Sequence, residues 1–356
     1  MTEKTHDTIF TEVTTLLRQL IATPSFSREE DATAALVATF LEQKGIPAER
    51  YGNNIIARSP GFRADRPTWL LNSHHDTVKP APGYTRNPFS PDVVDDHLYG
   101  LGSNDAGASL VALLGAFLYF YGKDPGFNLV FAATAEEEIS GAGGISSVLA
   151  QLGAIDGALV GEPTGMQLAV AERGLVVIDA LAKGRAGHAA RNEGESAILN
   201  AMADIARLQQ GLFDRVSPLL GPVSAKVTVI ETDNKAHNVV PDTCRYVIDV
   251  RVNELYTLEE AVAILRHELG AELRPRSLRL RSSVIADSHP LVRAGKAMGR
   301  SAYGSPTLSD KALLPFPALK IGPGDSARSH TADEYILLSE IREAITLYIE
   351  LLKQSV

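Results

Sequence analysis

The residues best able to do chemistry in this 356-residue chain stand where small or apolar runs stop. Four segments share the habit: Leu70-Leu71-Asn72-Ser73-His74-His75-Asp76, Tyr99-Gly100-Leu101-Gly102-Ser103-Asn104-Asp105, Phe131-Ala132-Ala133-Thr134-Ala135-Glu136-Glu137-Glu138 and Leu159-Val160-Gly161-Glu162-Pro163-Thr164. Three of the four lead-ins have the composition of buried strands, and parallel strands present function at their carboxyl ends. An imidazole or carboxylate in such a place is costly unless it is paired or bound to a cation. Several of them on one sheet edge imply a bound cation.

His74 and Asp76 are two apart, so on a strand their side chains share a face. One can hold a cation while the other hydrogen-bonds the imidazole and fixes its tautomer, and His75 then faces the opposite side. Read alone, the His-His-Asp run is a weak signal, and a merely hydrogen-bonded strand end is the plainer assignment. Asp105 follows the Gly100-Leu101-Gly102 turn and precedes a helical stretch, where an N-cap is the plain assignment. The same turn lacks the third glycine and the downstream acid of a dinucleotide fingerprint.

Glu136, Glu137 and Glu138 end an apolar strand and are followed by Gly141, Gly143 and Gly144, so they cannot all point to solvent. Their repulsion should raise at least one pKa unless a cation offsets it. A ligand beside a general base is what hydrolysis by a cation-bound water requires. Glu162 is kept extended by Pro163. His330 lies in the loop that begins Gly322-Pro323-Gly324, as a cap or a ligand. Two histidines with three carboxylates and no cysteine suit zinc, cobalt or manganese. Five ligands are too many for one catalytic zinc with an open position, and they suit a pair of ions bridged by one carboxylate.

These residues need a scaffold, and the first third of the chain alternates helix and strand. Helical spacing runs from Ile9 to Ile21, and Ser27 with Glu30 reads as a capping box opening a helix through Leu41 to Gly45. Strands are expected at Asn54 to Arg58, Trp69 to Ser73, Phe127 to Thr134 and Gly157 to Val160, and helices at Ala106 to Tyr121 and Gly144 to Leu152. That order is α/β, with helices on a largely parallel sheet. After Arg173 come strand Val176 to Ala182, helix Ser196 to Gln210, strands Ala225 to Glu231 and Thr243 to Val252, helix Leu258 to Leu269 and strand Leu278 to Ser283. This β-α-β-β-α-β string is that of a ferredoxin-like sandwich. A strand at Ala318 to Ile321 and a helix at Glu334 to Leu352 then resume the first pattern. The expected organisation is one domain of residues 1–173 and 285–356, interrupted by an inserted domain of residues 174–284.

Composition narrows the function classes. A net charge of −9 argues against nucleic acid, because phosphate binding needs clustered Lys and Arg. Arg274, Arg276, Arg279 and Arg281, with Leu278 and Leu280 between the last of them, read as a half-buried strand with a solvated basic face. No apolar run is long enough to span a bilayer, and residues Met1 to Asp7 lack the build of a signal peptide. The single cysteine, Cys244, excludes internal disulfides and a cysteine-based zinc site and fits a reducing cytoplasm.

At these residues the chain resembles the M20 metallopeptidase/aminoacylase family, in particular its branch of acetylornithine deacetylases, acetylcitrulline deacetylases and succinyl-diaminopimelate desuccinylases. The stretches that carry the resemblance are His74-His75-Asp76-Thr77-Val78, Gly100 to Asp105, Thr134 to Glu138, Gly161-Glu162-Pro163-Thr164 and His330 to Tyr335. The resemblance implies a fold of the zinc-exopeptidase type with an inserted domain used for homodimerisation. It implies two divalent metal ions, zinc ahead of cobalt or manganese, with Asp105 bridging them. His74 and Glu162 would complete one site, and Glu138 with His330 the other. Glu137 would be the general base and Asp76 the residue that orients His74. In Gly187-His188, His188 would polarise the scissile carbonyl in the other subunit's site. Arg173, Asn238 and Arg251 would hold the substrate carboxylate or shape the lid, with Gly324 a further substrate contact.

The implied reaction is hydrolysis of the amide of a small N-acyl-L-amino acid, first N-acetyl-L-ornithine or N-acetyl-L-citrulline and so arginine synthesis. Alternatives are an N-succinyl-amino acid desuccinylase, an N-acetyl-lysine deacetylase or a metallo-dipeptidase. A catalytically silent amino-acid-binding protein is the reading from a different class. Three departures from the family pattern leave the acyl group open: no lysine shortly after Asp105, Glu136 in place of an aspartate, and Ser73 in place of a glycine. His6, His75, His97, His237, His267 and His289 read as surface or structural residues.

Overall fold

Runs of consecutive apolar residues become strands covered on both faces, and the ends of these strands position several of the candidate ligand residues. The computed structural model describes residues 5–356, so the first four residues of the leader reading lie outside the described residues. In chain order the principal strands are β1 (Ala48–Tyr51), β2 (Asn54–Arg58), β3 (Thr68–His74), β4 (Asn128–Thr134), β5 (Gly157–Val160), β6 (Leu168–Glu172), β7 (Gly174–Lys183), β8 (Ser224–Glu231), β9 (Thr243–Val252), β10 (Glu272–Pro275) and β11 (Ala318–Lys320). The longer helices are α1 (His6–Ile21), α2 (Asp31–Gln43), α3 (Ala108–Phe120), α4 (Ala197–Gln209), α5 (Leu258–Glu268), α6 (Pro290–Ala297) and α7 (Leu338–Lys353). The chain divides into two units. One holds the residues up to Val170 with Ile285–Tyr303 and Ser309–Val356, and the other holds Ala171–Val284 with Gly304–Leu308.

In the first unit the sheet order is β1-β2-β4-β3-β5-β11-β6. The central strands β4, β3, β5 and β11 run parallel, and the flanking strands are antiparallel. Every residue of β3 and β4 is buried, as a parallel sheet covered on both faces demands. One cover is α3, apolar nearly all round and buried accordingly. It packs beside α7 so closely that a Cβ on Gly115 would stand 3.1 Å from Ile345. Register matters most for function. His74 lies opposite Thr134, and Asn72 opposite Val160, so β3, β4 and β5 end close to level. The segments after them therefore emerge on one edge.

The second unit is an antiparallel sheet in the order β8-β9-β7-β10. Alternate residues are buried, among them Val176, Ile178 and Ala180 of β7 and Tyr246, Ile248 and Val250 of β9, and they form a core with residues of α4 and α5. Its element order is the expected β-α-β-β-α-β.

Several boundaries differ from expectation. The last strand of the second unit's four-stranded sheet is Glu272–Pro275, not Leu278 to Ser283. Leu273 supplies the buried position and Arg276 ion-pairs with Asp179 at 2.7 Å, whereas the alternating leucines and arginines that follow lie in a loop. The capping box does not form. α2 starts at Asp31 without a side-chain cap, because the Ser27 hydroxyl donates to Asp76 and the Glu30 carboxylate accepts from Arg28 N–H. The helix expected from Gly144 is a 3₁₀ turn, Ile145–Val148, and one α-turn, Leu149–Leu152. α3 begins at Ala108, since Asp105 and Ala106 have non-helical backbone angles, so Asp105 is not its N-cap. The last helix begins at Leu338, because Tyr335–Leu337 pairs as a strand with His97–Tyr99. Among the described residues no helix is long and apolar enough to cross a membrane.

Candidate metal centre

His74 is the last residue of β3 and is 1% exposed. Its Nδ1–H donates to the Asp76 carbonyl at 3.0 Å, with the Asp76 carboxylate 3.4 Å away. A proton held on Nδ1 leaves the lone pair of the neutral ring on Nε2. That Nε2 is buried and makes no hydrogen bond among the described residues, yet carboxylate oxygens of Asp105, Glu162 and Glu137 stand 3.3, 3.6 and 3.8 Å from it. A lone pair facing three carboxylates is repulsive unless a positive charge lies between them. Burial works against charging the ring, but the Asp105 and Asp76 carboxylates, with Glu137 and Glu162, outweigh it and hold the His74 pKa well above the usual value.

Asp76 does more than face the imidazole. It is fully buried, and its two oxygens accept from the backbone N–H groups of Glu137 (3.0 Å) and Glu138 (3.2 Å) and from the Ser27 hydroxyl (2.7 Å). One carboxylate thus braces both His74 and the loop after β4. The adjacent His75 points away, into hydrogen bonds with the Thr33 hydroxyl and the Asn53 carbonyl, both at 2.9 Å, and is structural.

The three consecutive glutamates divide their work. Glu136 takes a left-handed backbone (φ 53°) and turns its carboxylate back to accept from Gly143 N–H at 3.2 Å. A Cβ on Gly141 would stand 1.9 Å from that carboxylate, which explains the small residue there. Glu137 and Glu138 face the cluster. Burial and the nearby Glu162 push Glu137 well above the ordinary carboxylate range. Burial also raises Glu138, against its hydrogen bond from His330.

Asp105 and His330 complete the arrangement. One oxygen of Asp105 faces His74 Nε2 at 3.3 Å and the other faces His330 Nε2 at 3.6 Å, so the carboxyl group stands between two imidazoles. His330 Nε2 also donates to Glu138 at 3.0 Å, and this contact pushes the imidazole pKa up to about 9. Ligand atoms of His74, Asp105 and Glu138, and those of His74, Glu137 and Glu162, lie within 4.8 Å of one another. Two imidazoles and four carboxylates at this spacing fit divalent cations of the zinc or manganese type.

The first unit therefore gathers His74, Asp76, Asp105, Glu137, Glu138, Glu162 and His330. Gly324 belongs to the same unit with a backbone role: its φ is +84°, and a Cβ there would meet Asn104 Oδ1 at 2.2 Å. His188, Arg173, Asn238 and Arg251 belong to the second unit. His188 is exposed, with Nδ1 accepting from Ala190 N–H at 3.2 Å, and the Asn238 carbonyl accepts from Ala189 N–H beside it. The guanidinium groups are engaged inside that unit, Arg173 with the Leu220 carbonyl and Arg251 with Asp249 at 2.8 Å.

Sequence reasoning passed over several buried polar residues around the cluster. Glu30 accepts from Glu136 N–H at 3.2 Å, and its capping-box spacing disguised it. Asp310 accepts from the Thr134 hydroxyl at 2.7 Å, and burial pushes its pKa up to about 6; nothing in the Ser309-Asp310 stretch marks it. Glu334 and Asn104 were visible only as neighbours of His330 and Asp105.

An α/β sheet that presents such a set at its strand ends defines a metallohydrolase class of site. The chain belongs to peptidase family M20/M25/M40, whose sequence profile matches residues 70–354. It is 29% identical over 282 residues to a succinyl-diaminopimelate desuccinylase of Cereibacter sphaeroides, covering 72% of this chain and 74% of that one. A second desuccinylase, from another strain of that species, is 26% identical over 380 aligned positions, covering 95% and 97%. Among solved structures, aminopeptidase PepT from Bacillus cereus superposes with a TM-score of 0.78 at 18% identity, over 97% of this chain and 98% of that one. The YXEP protein of Bacillus subtilis, described as a dinuclear metal binding peptidase of family M20, superposes at 0.73 with 17% identity, over 98% of each chain. These structures share the fold. The chain is thus an M20-family hydrolase. The named relatives favour the N-succinyl alternative over the N-acetylornithine or N-acetylcitrulline expectation.

Proposed function

We propose that this chain hydrolyses the amide bond of a small N-acyl amino acid, with an N-succinyl substrate such as succinyl-diaminopimelate first and the N-acetyl amino acids second. The observation that carries the reading is the Asp105 carboxyl group between His74 and His330, with Glu137 and Glu162 beside one imidazole and Glu138 beside the other. The order of acyl groups is supported by the desuccinylase relatives that align along most of the chain. Two divalent ions, zinc ahead of cobalt or manganese, held by His74, Asp105 and Glu162 and by Asp105, Glu138 and His330, would supply Lewis acidity toward the acyl carbonyl and acidify a water.

Glu137 is the residue left over from both ligand sets. Its largely buried carboxyl, held above the ordinary carboxylate range by burial and by Glu162, suits a group that takes a proton and returns it. It would accept a proton from the attacking water as the new C–O bond forms, and deliver it to the nitrogen as the C–N bond breaks. Asp76 would keep His74 in the tautomer with Nε2 free. His188, in a homodimer built through the second unit, would donate to the developing oxyanion. Arg173, Asn238, Arg251 and the Gly324 loop would receive the rest of the substrate. The test is amine release from N-succinyl and N-acetyl derivatives of diaminopimelate, ornithine, citrulline and lysine, with zinc and cobalt supplied separately. Turnover should be greatest on the N-succinyl substrate. Metal-loaded protein that binds these compounds without releasing amine would overturn the reading in favour of a silent binder.

A further inference from the structure

The turn that carries Asp105 is held by one side chain that no ligand set includes. Of the six backbone N–H groups from Gly100 to Asp105, four end on residue 334: Gly100 N–H on its carbonyl, and Gly102 (3.0 Å), Asn104 (2.8 Å) and Asp105 (2.9 Å) on its carboxylate. Glu334 is 2% exposed. A buried carboxylate close to a second carboxylate is unfavourable on its own, and three charge-assisted hydrogen bonds from backbone offset that cost.

The same turn is tied to the His330 loop a second way. Asn104 Nδ2 donates to the Asp325 carbonyl at 3.1 Å and to the Ser329 hydroxyl at 3.3 Å, and its Oδ1 accepts from Asp325 N–H at 3.1 Å. Residues 100–105 and 325–334 are therefore joined through Glu334 on one side and Asn104 on the other. Asp105 and His330, one from each segment, meet at 3.6 Å. His74 is held separately, by β3 and Asp76.

We propose that Glu334 is a positioning residue that sets the distance between Asp105 and His330, and so the affinity of the ion site they share with Glu138. The proposal rests on the hydrolase reading above and adds a residue and a specific one of the two sites. Geometry accounts for the residue type. Glu334 Oε1 accepts two N–H groups and Oε2 accepts the third, so a glutamine amide nitrogen would oppose at least one backbone donor whichever way it turned. Aspartate keeps the charge and loses reach.

The experiment titrates chelator-treated wild-type chain, Glu334→Gln and Glu334→Asp with Co(II), followed by calorimetry and by the Co(II) absorption spectrum, alongside melting temperature and steady-state kinetics. Wild type should take two equivalents. Glu334→Gln should bind one of them about 10- to 100-fold more weakly, with a changed spectrum and a lower kcat at little changed KM. Glu334→Asp should fall between the two. A lower melting temperature with both binding steps and the spectrum unchanged would overturn the proposal while leaving the hydrolase reading intact. Failure of both variants to fold would also overturn it, since Glu334 would then be a folding determinant. Wild-type chain that takes up no Co(II) would instead sink the hydrolase reading, and this proposal with it.

Discussion

The two imidazoles of the cluster are built by opposite means. His74 ends a strand whose seven residues are all buried, and it is 1% exposed with its Nδ1–H committed to Asp76. The His330 side chain is 54% exposed, on a loop, with a left-handed backbone (φ 58°) and a hydrogen bond to Glu138 as its anchor. The strand-built half is rigid because sheet register and close packing leave it no alternative. The loop-built half depends on side-chain ties, chiefly through Asn104 and Glu334. Precision in one half comes from the fold, and in the other from a few polar residues that can be removed singly.

Glu137 lies beside the strand-built half, and its loss should have the largest effect. Glu137→Gln should lower kcat by about 10²- to 10⁴-fold with metal uptake nearly unchanged. Activity above a few per cent, measured at matched metal content, would refute the role. Asp76 comes next. Asp76→Ala removes the carboxylate that faces His74 Nδ1 at 3.4 Å and frees two backbone N–H groups at once, and should weaken metal binding by about 10- to 100-fold by titration. An unchanged titration would show that the strand and the backbone carbonyl of residue 76 suffice to fix His74.

Ser27→Ala removes one of the bonds to Asp76 and should cost about 1.5–3 kcal/mol in denaturant unfolding, with a smaller change in metal affinity than Asp76→Ala. Equal effects of the two substitutions would break the picture of Asp76 as the central brace.

The smallest expected effect is on pH dependence and belongs to the loop-built half. The His330 pKa rises from 6.5 to about 9 in the folded chain, through Glu138. A raised folded pKa contributes stability that is complete below 6.5 and is lost as pH climbs through about 9. Half exposure keeps the contribution small. In chelator-treated protein the melting temperature should therefore decline slightly between pH 7 and 10 more than it does in His330→Ala. Parallel curves for the two proteins would refute the contribution.

How much of this was legible beforehand can be judged residue by residue. His74, Asp105, Glu138, Glu162 and His330 were singled out from residue type at the ends of apolar runs, and the structure brings them together. Ser27 and Glu30 were visible as a pair and given the wrong role, because a capping box and a donor and an acceptor with distant partners share one spacing. Alternation of leucine and arginine after Arg276 imitated a strand, since a period of two needs a neighbouring strand to become one. The distinct task of Glu136 was not separable from those of Glu137 and Glu138, because it follows from a local reversal of the backbone.

Local chemistry in the chain determined which elements form and which side chains carry ligand atoms, because apolar periodicity and turn residues act over a few neighbours. Tertiary structure alone decided that Asp105 stands between two imidazoles and that Asp76, Glu30 and Glu334 grip backbone rather than solvent. The physical reason is range. A buried carboxylate is stable only with donors around it, and here those donors come from residues as far as 232 positions away in the chain.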